Sequence, residues 1–382
     1  MSEEEKQFIL SNIDTDVTKL LLNPPKDFKE RITFLAEQIQ SRQKAKDKLP
    51  TWYANPDLIF PPPLSVEQCS SEATANYKAE LLGGTHLIDL TGGMGVDTLT
   101  FADHFQHVTY VEQNEFLCSQ MEHNVKALGK NVQVINDTAE SFLAKRKFDS
   151  PSLFFIDPAR RDNQAKKVFR FADCSPNIND LLDLFREIGS KVMIKAAPLI
   201  DLSMGIEELQ NVEAIHVISV KNDCKEVLFL LDFQRKNTDV PIRTINLTNE
   251  GSEIFDFTFN EERASDLVLS DPKKFLLLPN ASILKAGAFK SISTQFGISK
   301  IGTNTHFYTS DELVSNFPGR TFEVLNEPIS KQLDRANVIS RNHPLTPQQI
   351  LKKFRLKEGG NRFILAFRDQ NEKPQIVLAQ KI

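Results

Sequence analysis

Acidic residues follow four short apolar runs of the chain, and they are the residues best placed to do chemistry. Apolar runs of this length are typical of buried parallel strands, whose carboxyl ends meet at one edge of a sheet. A single acid after a strand is usually a cap, but four of them along one edge are hard to explain as caps. The sequence therefore predicts one site at this edge, with acids at Asp89, Glu112, Asp137 and Asp157.

A glycine cluster follows the first of these acids. Gly92, Gly93 and Gly95 come just before a stretch that can begin a helix. Glycines at such a turn let a ligand approach the bare backbone. The dinucleotide pattern G-x-G-x-x-G is not met, because Thr98 holds the third glycine position. Asp89 on the strand instead suits a ligand that carries a positive charge. The alternative is an ordinary strand–turn–helix of an α/β protein.

The stretch His86–Asp97 resembles motif I of class I S-adenosylmethionine (SAM)-dependent methyltransferases, with Thr91 where that motif commonly has its first glycine. The resemblance implies SAM as the cofactor. Glu112, after the second strand, is placed to accept hydrogen bonds from both ribose hydroxyls, and Asp137 is placed to accept one from the adenine amino group. The candidate cofactor-binding residues are Asp89, Thr91, Gly92, Gly93, Gly95, Asp97, Glu112 and Asp137.

The fourth acid begins the run Asp157-Pro158-Ala159-Arg160. This run resembles the Asp/Asn-Pro-Pro-aromatic motif of amino-directed methyltransferases and the Asp-Pro-Pro-Arg form of some RNA methyltransferases, with Ala159 in place of the second proline. A carboxylate and a carbonyl beside a proline can accept the hydrogens of an exocyclic amine and aim its lone pair. Arg160 or Arg161 either holds a phosphate or pairs with a nearby acid. The candidate catalytic residues are Asp157, Pro158 and Arg160.

The cysteines argue against a different chemistry. Cys69, Cys118, Cys174 and Cys224 lie far apart and form no C-x-x-C pair and no metal-ligand spacing. This pattern favours reduced thiols in a cytoplasmic protein and predicts no metal site. Methylation of a pyrimidine carbon needs a cysteine nucleophile. The loops that follow the fourth and fifth predicted strands have none, and Cys174 is predicted to lie on a helix.

Strands that alternate with helices must position these residues. The apolar patterns predict an α/β fold with an open, Rossmann-like methyltransferase sheet and, before it, an N-terminal helical extension. In the resembling family the segment before the first strand often folds over the cofactor. Gln68, Ser71 and Lys78 are therefore further candidates, although Ser70 or Ser71 can instead cap the helix that follows. Lys195, which ends the fifth strand, is either a substrate contact or a side chain that reaches the surface.

At finer grain the chain resembles bacterial methyltransferases that carry a C-terminal THUMP-like domain, through stretches that include PNASILKAGAF, FPGR and RNHP. THUMP modules of RNA-modifying enzymes hold RNA, so the resemblance implies an RNA substrate. The charge distribution agrees, since residues 283–382 contain 15 Lys or Arg against 8 Asp or Glu, while the whole chain has a net charge of −5. The basic C-terminal third is a candidate RNA-binding surface. A solvated face with a chance excess of bases is the alternative.

Four regions are predicted along the chain: an N-terminal helical region with an extended loop (1–82), a methyltransferase domain (83–240), an α+β, ferredoxin-like linker domain (241–320) and a small α+β, THUMP-like domain (321–382). The sequence favours a cytoplasmic SAM-dependent methyltransferase that acts on a base nitrogen of a structured tRNA or rRNA. The rivals are a methyltransferase for a protein or small molecule, and a SAM- or RNA-binding module without catalysis. No apolar run is long enough for a membrane span, and DNA is not an expected partner.

Overall fold

The computed structural model describes residues 1–146, 148, 152–160, 170–188, 191–235, 238–325, 327–329 and 333–382, and the side chain of Arg160 also lies outside the description. The helices are α1 Glu3–Ser11, α2 Val17–Leu22, α3 Ile32–Ala45, α4 Pro50–Ala54, α5 Pro63–Gln68, α6 Glu72–Leu81, α7 Val96–Phe101, α8 Glu115–Leu128, α9 Ala139–Lys145, α10 Ile178–Ile188, α11 Leu202–Leu209, α12 Phe259–Ala264, α13 Ala281–Ala286, α14 Ser291–Phe296 and α15 Pro347–Phe354. Short 3-10 helices span Lys26–Phe28 and Phe171–Asp173.

The strands are β1 His86–Asp89, β2 His107–Glu112, β3 Val132–Asn136, β4 Leu153–Ile156, β5 Ala159–Arg160, β6 Cys174–Ser175, β7 Lys191–Ala196, β8 Val212–Val220, β9 Asp223–Asp232, β10 Pro241–Thr248, β11 Gly251–Thr258, β12 Phe275–Pro279, β13 Ser299–Gly302, β14 Thr305–Ser310, β15 Gly319–Leu325, β16 Asn337–Arg341, β17 Arg362–Arg368 and β18 Pro374–Lys381. The chain divides into two compact units, Met1–Glu213 with Phe229–Lys236, and Ala214–Leu228 with Asn237–Ile382. The four domain boundaries expected from the sequence stay predictions.

The first unit is built on parallel strands in the order β3-β2-β1-β4-β7. The strands β1 and β4 are almost wholly buried, because helices cover both faces of such a sheet. The order reverses between β1 and β4, and ligands of open α/β sheets bind in the crevice outside the carboxyl ends at such a point. This architecture confirms the predicted α/β, Rossmann-like fold.

The N-terminal helices organise the proline-rich loop that precedes the sheet. Prolines remove backbone donors, so the loop's buried carbonyls need donors from elsewhere. Polar side chains of α3 supply them: Gln38 donates to the Phe60 carbonyl (2.7 Å) and Ser41 donates to the Pro61 carbonyl (2.7 Å). Arg42, only 1% exposed, donates to the carbonyls of Tyr53, Asn55, Pro56 and Leu58 at 2.8–3.3 Å.

The second unit contains a seven-stranded sheet in the order β13-β14-β12-β15-β18-β17-β16. Most of its pairs are antiparallel, and β16 and β17 are parallel. Helix α15 begins with a capping box in which the Thr346 hydroxyl accepts from the Gln349 N–H, and it buries Ile350 against the sheet. The predicted C-terminal α+β module is therefore present. In the same unit β10 pairs in parallel with β8 and antiparallel with β11.

One expectation for the first unit is wrong. Cys174 lies on β6, not on a helix, because the backbone of Arg160 on β5 pairs with it. Its thiol is fully buried. No helix within the described ranges is long and apolar enough to cross a membrane.

Candidate active site

A cavity of about 450 Å³ lies in the first unit at the carboxyl ends of the parallel strands. All eight residues predicted to bind a cofactor line it, and so does Asp157. Pro158 is buried beside it but does not line it. The side chain of Arg160 and all of Arg161 lie outside the described residues, so no contact is assigned to either. The four acids that follow the strands thus meet at one cavity.

The glycine loop is held down by packing beneath it. A Cβ on Gly92 would lie 2.1 Å from the Tyr110 ring, and one on Gly95, which has a φ of +86°, would lie 2.6 Å from the Met121 sulfur. The Tyr110 hydroxyl also donates to the Gly93 carbonyl at 2.7 Å. Gly93 differs, since its Cβ would meet nothing closer than the Thr91 carbonyl at 3.7 Å. The loop therefore turns the backbone at Gly93 toward open space, where a ligand can approach it.

Asp89 lies at the base of the cavity and is only 1% exposed. Its carboxylate accepts hydrogen bonds from the Thr91 N–H (3.1 Å) and the Thr98 hydroxyl (2.6 Å). Burial raises the pKa of Asp89 to about 7. The two hydrogen bonds lower this pKa, and the charges of Asp97 and Asp157 raise it further. Asp89 consequently changes its charge near neutral pH. Thr98, which breaks the dinucleotide pattern, serves here as a hydrogen-bond donor.

The acids after β2 and β3 have different surroundings. The Glu112 carboxylate accepts from the Gly93 N–H at 3.0 Å and from the Asn114 N–H at 2.8 Å, so it ties the glycine loop to the start of α8. Asp137 pairs with Lys145 at 3.1 Å. The pKa of Asp137 is lowered, mainly by a hydrogen bond from Ser141 and next by the hydrogen bond from Lys145. Glu112 is the more firmly positioned of the two carboxylates.

Asp157 is held by the neighbouring strands. Its backbone N–H donates to the Thr91 hydroxyl oxygen at 2.6 Å, which ties the end of β4 to the end of β1. Its carboxylate oxygen Oδ2 accepts from the Lys195 ammonium at 2.5 Å. In the part of the chain that the structure describes, no donor contacts Oδ1, and the side chain is 37% exposed. Oδ1 of Asp157 is therefore available as a hydrogen-bond acceptor.

The segment before β1 closes one side of the cavity with Ser65, Gln68, Cys69 and Ser70. Ser71 instead caps α6 by accepting from the Thr74 N–H.

The buried Lys78 ammonium lies 3.2 Å from Asp97 and donates to Ser70 at 3.0 Å. Burial acts to raise the pKa of Asp97, but the charges of Lys78 and Lys195 outweigh it and the pKa is lowered. Asp97 therefore stays ionised. Burial raises the pKa of Cys69 to about 11, so its thiol is a poor nucleophile.

The described lining of the cavity is acidic. It contains no Lys or Arg and includes six carboxylates: Asp89, Asp97, Glu112, Asp137, Glu140 and Asp157. Lysines outside the lining pair with three of these carboxylates, Lys78 with Asp97, Lys145 with Asp137 and Lys195 with Asp157. Low-dielectric walls lined by one sign of charge favour ligands of the opposite sign. Such a lining favours a ligand with a positive charge over a pyrophosphate. This disfavours a dinucleotide-dependent dehydrogenase.

Two segments of the second unit match known domain families. Residues 275–318 match a family described as a ferredoxin-like domain, and residues 324–381 match one described as THUMP domain-like. No sequence among the curated proteins matches the chain.

Among solved structures, a methyltransferase candidate is similar to the whole chain. That protein, a candidate methyltransferase from Porphyromonas gingivalis W83, is 28% identical, with 100% of this chain and 99% of that chain covered at a TM-score of 0.87. The chain has a methyltransferase fold with a THUMP-like C-terminal domain. Two shorter structures cover 42% of this chain at a TM-score of 0.30: an rRNA methylase from Streptococcus thermophilus (18% identical, 94% of that chain) and a candidate methyltransferase from Streptococcus mutans in complex with SAH (17%, 96%). The fold assignment rests on the whole-chain match.

Sequence reasoning missed part of this methyltransferase fold's cavity wall. Ser175 and Pro176 line it, and they arrive there because β6 pairs with β5 directly after Asp157-Pro158. No local sequence pattern predicts that strand pairing. The ion pair between Lys195 and Asp157 was also missed. Asp157 follows Ile156 and Lys195 follows Ile194, and these two isoleucines are partners in the pairing of β4 with β7. A correct guess of the strand order would have brought the two together.

Proposed function

We propose that the chain is a cytoplasmic SAM-dependent methyltransferase that acts on a base nitrogen of a structured RNA. The acidic cavity at the sheet edge is the observation that carries the proposal. SAM has an ammonium and a sulfonium and no phosphate, so it complements a lining of carboxylates better than a dinucleotide does. The cavity's volume of about 450 Å³ lies in the range of small-molecule sites, roughly 300–1,000 Å³.

Four features of the cavity support a SAM site. Asp89 supplies negative charge beside the loop, and Gly93 leaves space for close approach to the backbone. Each Glu112 oxygen accepts one backbone N–H, which leaves a lone pair on each for a ribose hydroxyl. Asp137 is the candidate acceptor for the adenine amino group. When bound, SAM supplies an electrophilic methyl group on its sulfonium.

Asp157 is the proposed catalytic residue. Its free oxygen Oδ1 can accept a hydrogen bond from the target amine, and Lys195 fixes the other oxygen, so the carboxylate orients the lone pair of the nitrogen toward the methyl group. Holding the two reacting atoms about 3 Å apart and in line is most of what methyl transfer requires. The carbonyl of Pro158 and the Arg160 side chain remain proposed neighbours of the target.

Lys195 favours a second candidate reaction, methyl transfer to a hydroxyl. A hydroxyl gains negative charge as it loses its proton, and the Lys195 ammonium beside Asp157 would stabilise that charge. An amine target gains positive charge instead, which the same ammonium would oppose. The two reactions leave different products, a methylated base or a methylated ribose.

The RNA part of the proposal rests on the C-terminal module. Residues 324–381 match the THUMP-like family, and the net charge of residues 283–382 is positive on an otherwise acidic chain. A chain with a basic C-terminal region and an acidic cavity in its other unit suits a polyanion that is bound in one place and modified in another. A methyltransferase for a protein or small molecule would show no salt-sensitive binding of RNA.

The raised pKa of Asp89 predicts that SAM binding depends on pH. Above its pKa of about 7 the carboxylate is ionised and attracts the ligand's positive charge, and below it the attraction is lost. Affinity should rise about tenfold from pH 6 to pH 8, because the ionised fraction rises by that factor. Calorimetry across this range, with Asp89→Asn as the comparison, measures it. If SAM affinity changed with pH as much in Asp89→Asn as in the wild type, the role given to Asp89 would be contradicted.

The activity itself is tested by methyl transfer from radiolabelled SAM to unmodified tRNA and rRNA transcripts, followed by nucleoside analysis of the product. A methylated base supports the nitrogen target, and a ribose-methylated nucleoside supports the hydroxyl target. SAM binding without transfer to any RNA, protein or metabolite fraction would favour the non-catalytic rival.

A further inference from the structure

Thr91 stands where the resembling methyltransferase motif commonly has a glycine, and it is hydrogen-bonded to two acids of the cavity. Its backbone N–H donates to the Asp89 carboxylate at 3.1 Å. Its hydroxyl oxygen accepts from the Asp157 backbone N–H at 2.6 Å. A glycine has no side chain that could accept this second bond. The threonine therefore joins the ends of β1 and β4 through a group that the common form of the motif lacks.

The Thr91 hydroxyl also has a hydrogen to donate. A hydroxyl can donate one hydrogen bond and accept two. Oγ1 of Thr91 serves as an acceptor, and no acceptor among the described residues takes its hydrogen. Thr98 differs, since its hydroxyl donates to the Asp89 carboxylate at 2.6 Å. Because Thr91 is half-buried and lines the cavity, its hydroxyl hydrogen is available to a ligand.

An unused acceptor belongs to the residue at the other end of this bond. Oδ1 of Asp157 accepts from no donor among the described residues, while the Lys195 ammonium contacts Oδ2. Covalent geometry keeps Oδ1 within roughly 5 Å of the Asp157 backbone nitrogen, which itself donates to Thr91. Asp157 lines the cavity as Thr91 does. The cavity thus presents a hydrogen-bond donor and a hydrogen-bond acceptor close together.

Such a pair matches one kind of chemical edge. An exocyclic amine of a base donates through its N–H groups, and an unprotonated ring nitrogen bonded to the same carbon accepts. Adenine has this edge at its 6-amino group, cytosine at its 4-amino group and guanine at its 2-amino group with N3. Uracil has no amine, and a ribose hydroxyl has no ring nitrogen beside it. Donor and acceptor patterns of this kind are how proteins tell bases apart.

The wall near Asp157 shows why a second hydrogen bond is needed. Ala159 and Ser175, partners in the pairing of β5 with β6, line the cavity without a ring on which a base could stack. The aromatic residue of the described lining, Phe155, is only 1% exposed. A base held only by one hydrogen bond to Oδ1 can rotate about that bond. A second hydrogen bond fixes the plane of the base and the direction of the amine lone pair.

We propose that Thr91 is a specificity-determining residue, whose hydroxyl donates to the ring nitrogen beside the target amine while Oδ1 of Asp157 accepts from the amine itself. The inference rests on the proposed function and narrows its substrate to an exocyclic amine that shares its carbon with an unprotonated ring nitrogen. It selects the base over the ribose as the target. It also gives a role toward the substrate to a position that the sequence assigned to the cofactor.

Thr91→Val and Thr91→Ser test this role by methyl transfer from radiolabelled SAM to the tRNA and rRNA transcripts, with SAM calorimetry on the same preparations. Valine keeps the shape and removes the hydroxyl, so kcat/KM should fall about 100-fold while SAM affinity stays within about threefold of the wild type. Serine keeps the hydroxyl and should restore kcat/KM to within about tenfold. Thr100→Val is the matched control, because Thr100 donates to the Val96 carbonyl within α7 and is not among the described lining residues.

A substrate analogue separates contact with the ring nitrogen from mere support of Asp157. The transcripts carry the methylated base with CH in place of that nitrogen, as 1-deazaadenosine, 3-deazacytidine or 3-deazaguanosine according to the product. The analogue should lower kcat/KM of the wild type about tenfold more than that of Thr91→Val, whose donor is already gone. This comparison cancels any effect of the analogue on the amine itself. Equal losses in the two proteins would overturn the inference.

The product and the calorimetry separate this inference from the proposed function. A methylated exocyclic amine supports both. A methylated ring nitrogen would overturn the role of Thr91 alone, and a methylated ribose would overturn it together with the base target. Activity of Thr91→Val like that of Thr100→Val, or a loss of SAM affinity as large as the loss of activity, would also overturn the role. If the wild type binds SAM and methylates no transcript, the RNA substrate and the inference both fail.

Discussion

Asp157→Ala is expected to lower kcat for methyl transfer about 1,000-fold and to leave the affinity for SAM within about threefold. The reason is geometric. Oδ1 of Asp157 accepts from no donor among the described residues, while Lys195 holds Oδ2 and the Thr91 hydroxyl holds the backbone N–H. Removal of the carboxylate therefore takes away the group proposed to orient the target, and the residues proposed to hold SAM stay. Single-turnover methyl transfer and calorimetry on the same preparation measure the two effects.

A surface acid of the same unit is the control for this prediction. Asp183 is exposed on α10 and, among the described residues, its ion pair is with Arg186 one turn away, so Asp183→Ala should match the wild type in both measurements. Asp157→Asn keeps an acceptor oxygen and removes the charge. Substantial residual activity in Asp157→Asn would assign Asp157 an orienting role. Activity of Asp157→Ala within tenfold of the wild type would contradict its place in the reaction.

Arg42→Ala is expected to lower the free energy of unfolding of the first unit by about 4 kcal/mol. The Arg42 guanidinium is buried and donates to four loop carbonyls, which would lose their partner together. Burial of the group lowers its pKa to about 10, so it remains charged at neutral pH. For a unit of this size the loss corresponds to a fall in Tm of about 10 °C, measurable by calorimetric scanning.

The loop that Arg42 holds leads into α5, whose Ser65 and Gln68 line the cavity. A weaker SAM affinity should therefore accompany the lower stability of Arg42→Ala. Arg31→Ala is the control, because Arg31 is 55% exposed and its pair with Glu5 lies at the surface, where such a pair contributes at most about 1 kcal/mol. A change in Tm of Arg42→Ala no larger than that of Arg31→Ala would show that the loop is held by its own packing.

The local signals of the sequence predicted the strand ends well. Apolar runs that end in acids specify both a strand and a polar residue at its edge, so Asp89, Glu112, Asp137 and Asp157 could be brought to one cavity before the strand order was known. The expectation that all four strands are buried was wrong for β3, which lies at the edge of the sheet and has no fully buried residue. The glycines were harder to interpret. Gly92 and Gly95 make room for Tyr110 and Met121 beneath the loop, and only Gly93 presents backbone to open space.

Other features depend on contacts that are distant in the sequence. Ser175 reaches the cavity through the two-residue pairing of β5 with β6, which no periodicity reveals. The placement of Cys174 was wrong for the same reason. Arg42 did leave a signal, since it falls three residues after Ile39 on the buried side of α3. A charged residue on an apolar face indicates a buried set of acceptors, and here these are the carbonyls of a proline-rich loop.

Calorimetric titration of SAM into the folded wild-type chain, Asp89→Ala and Glu112→Ala tests the central claim most directly. Micromolar binding by the wild type, with at least a tenfold loss in each variant, is the result that an acidic cofactor cavity predicts, since each variant removes one positioned carboxylate. The variants should keep their thermal unfolding transition, which shows that the loss belongs to the site. No binding of SAM to the folded wild-type chain would contradict the methyltransferase proposal.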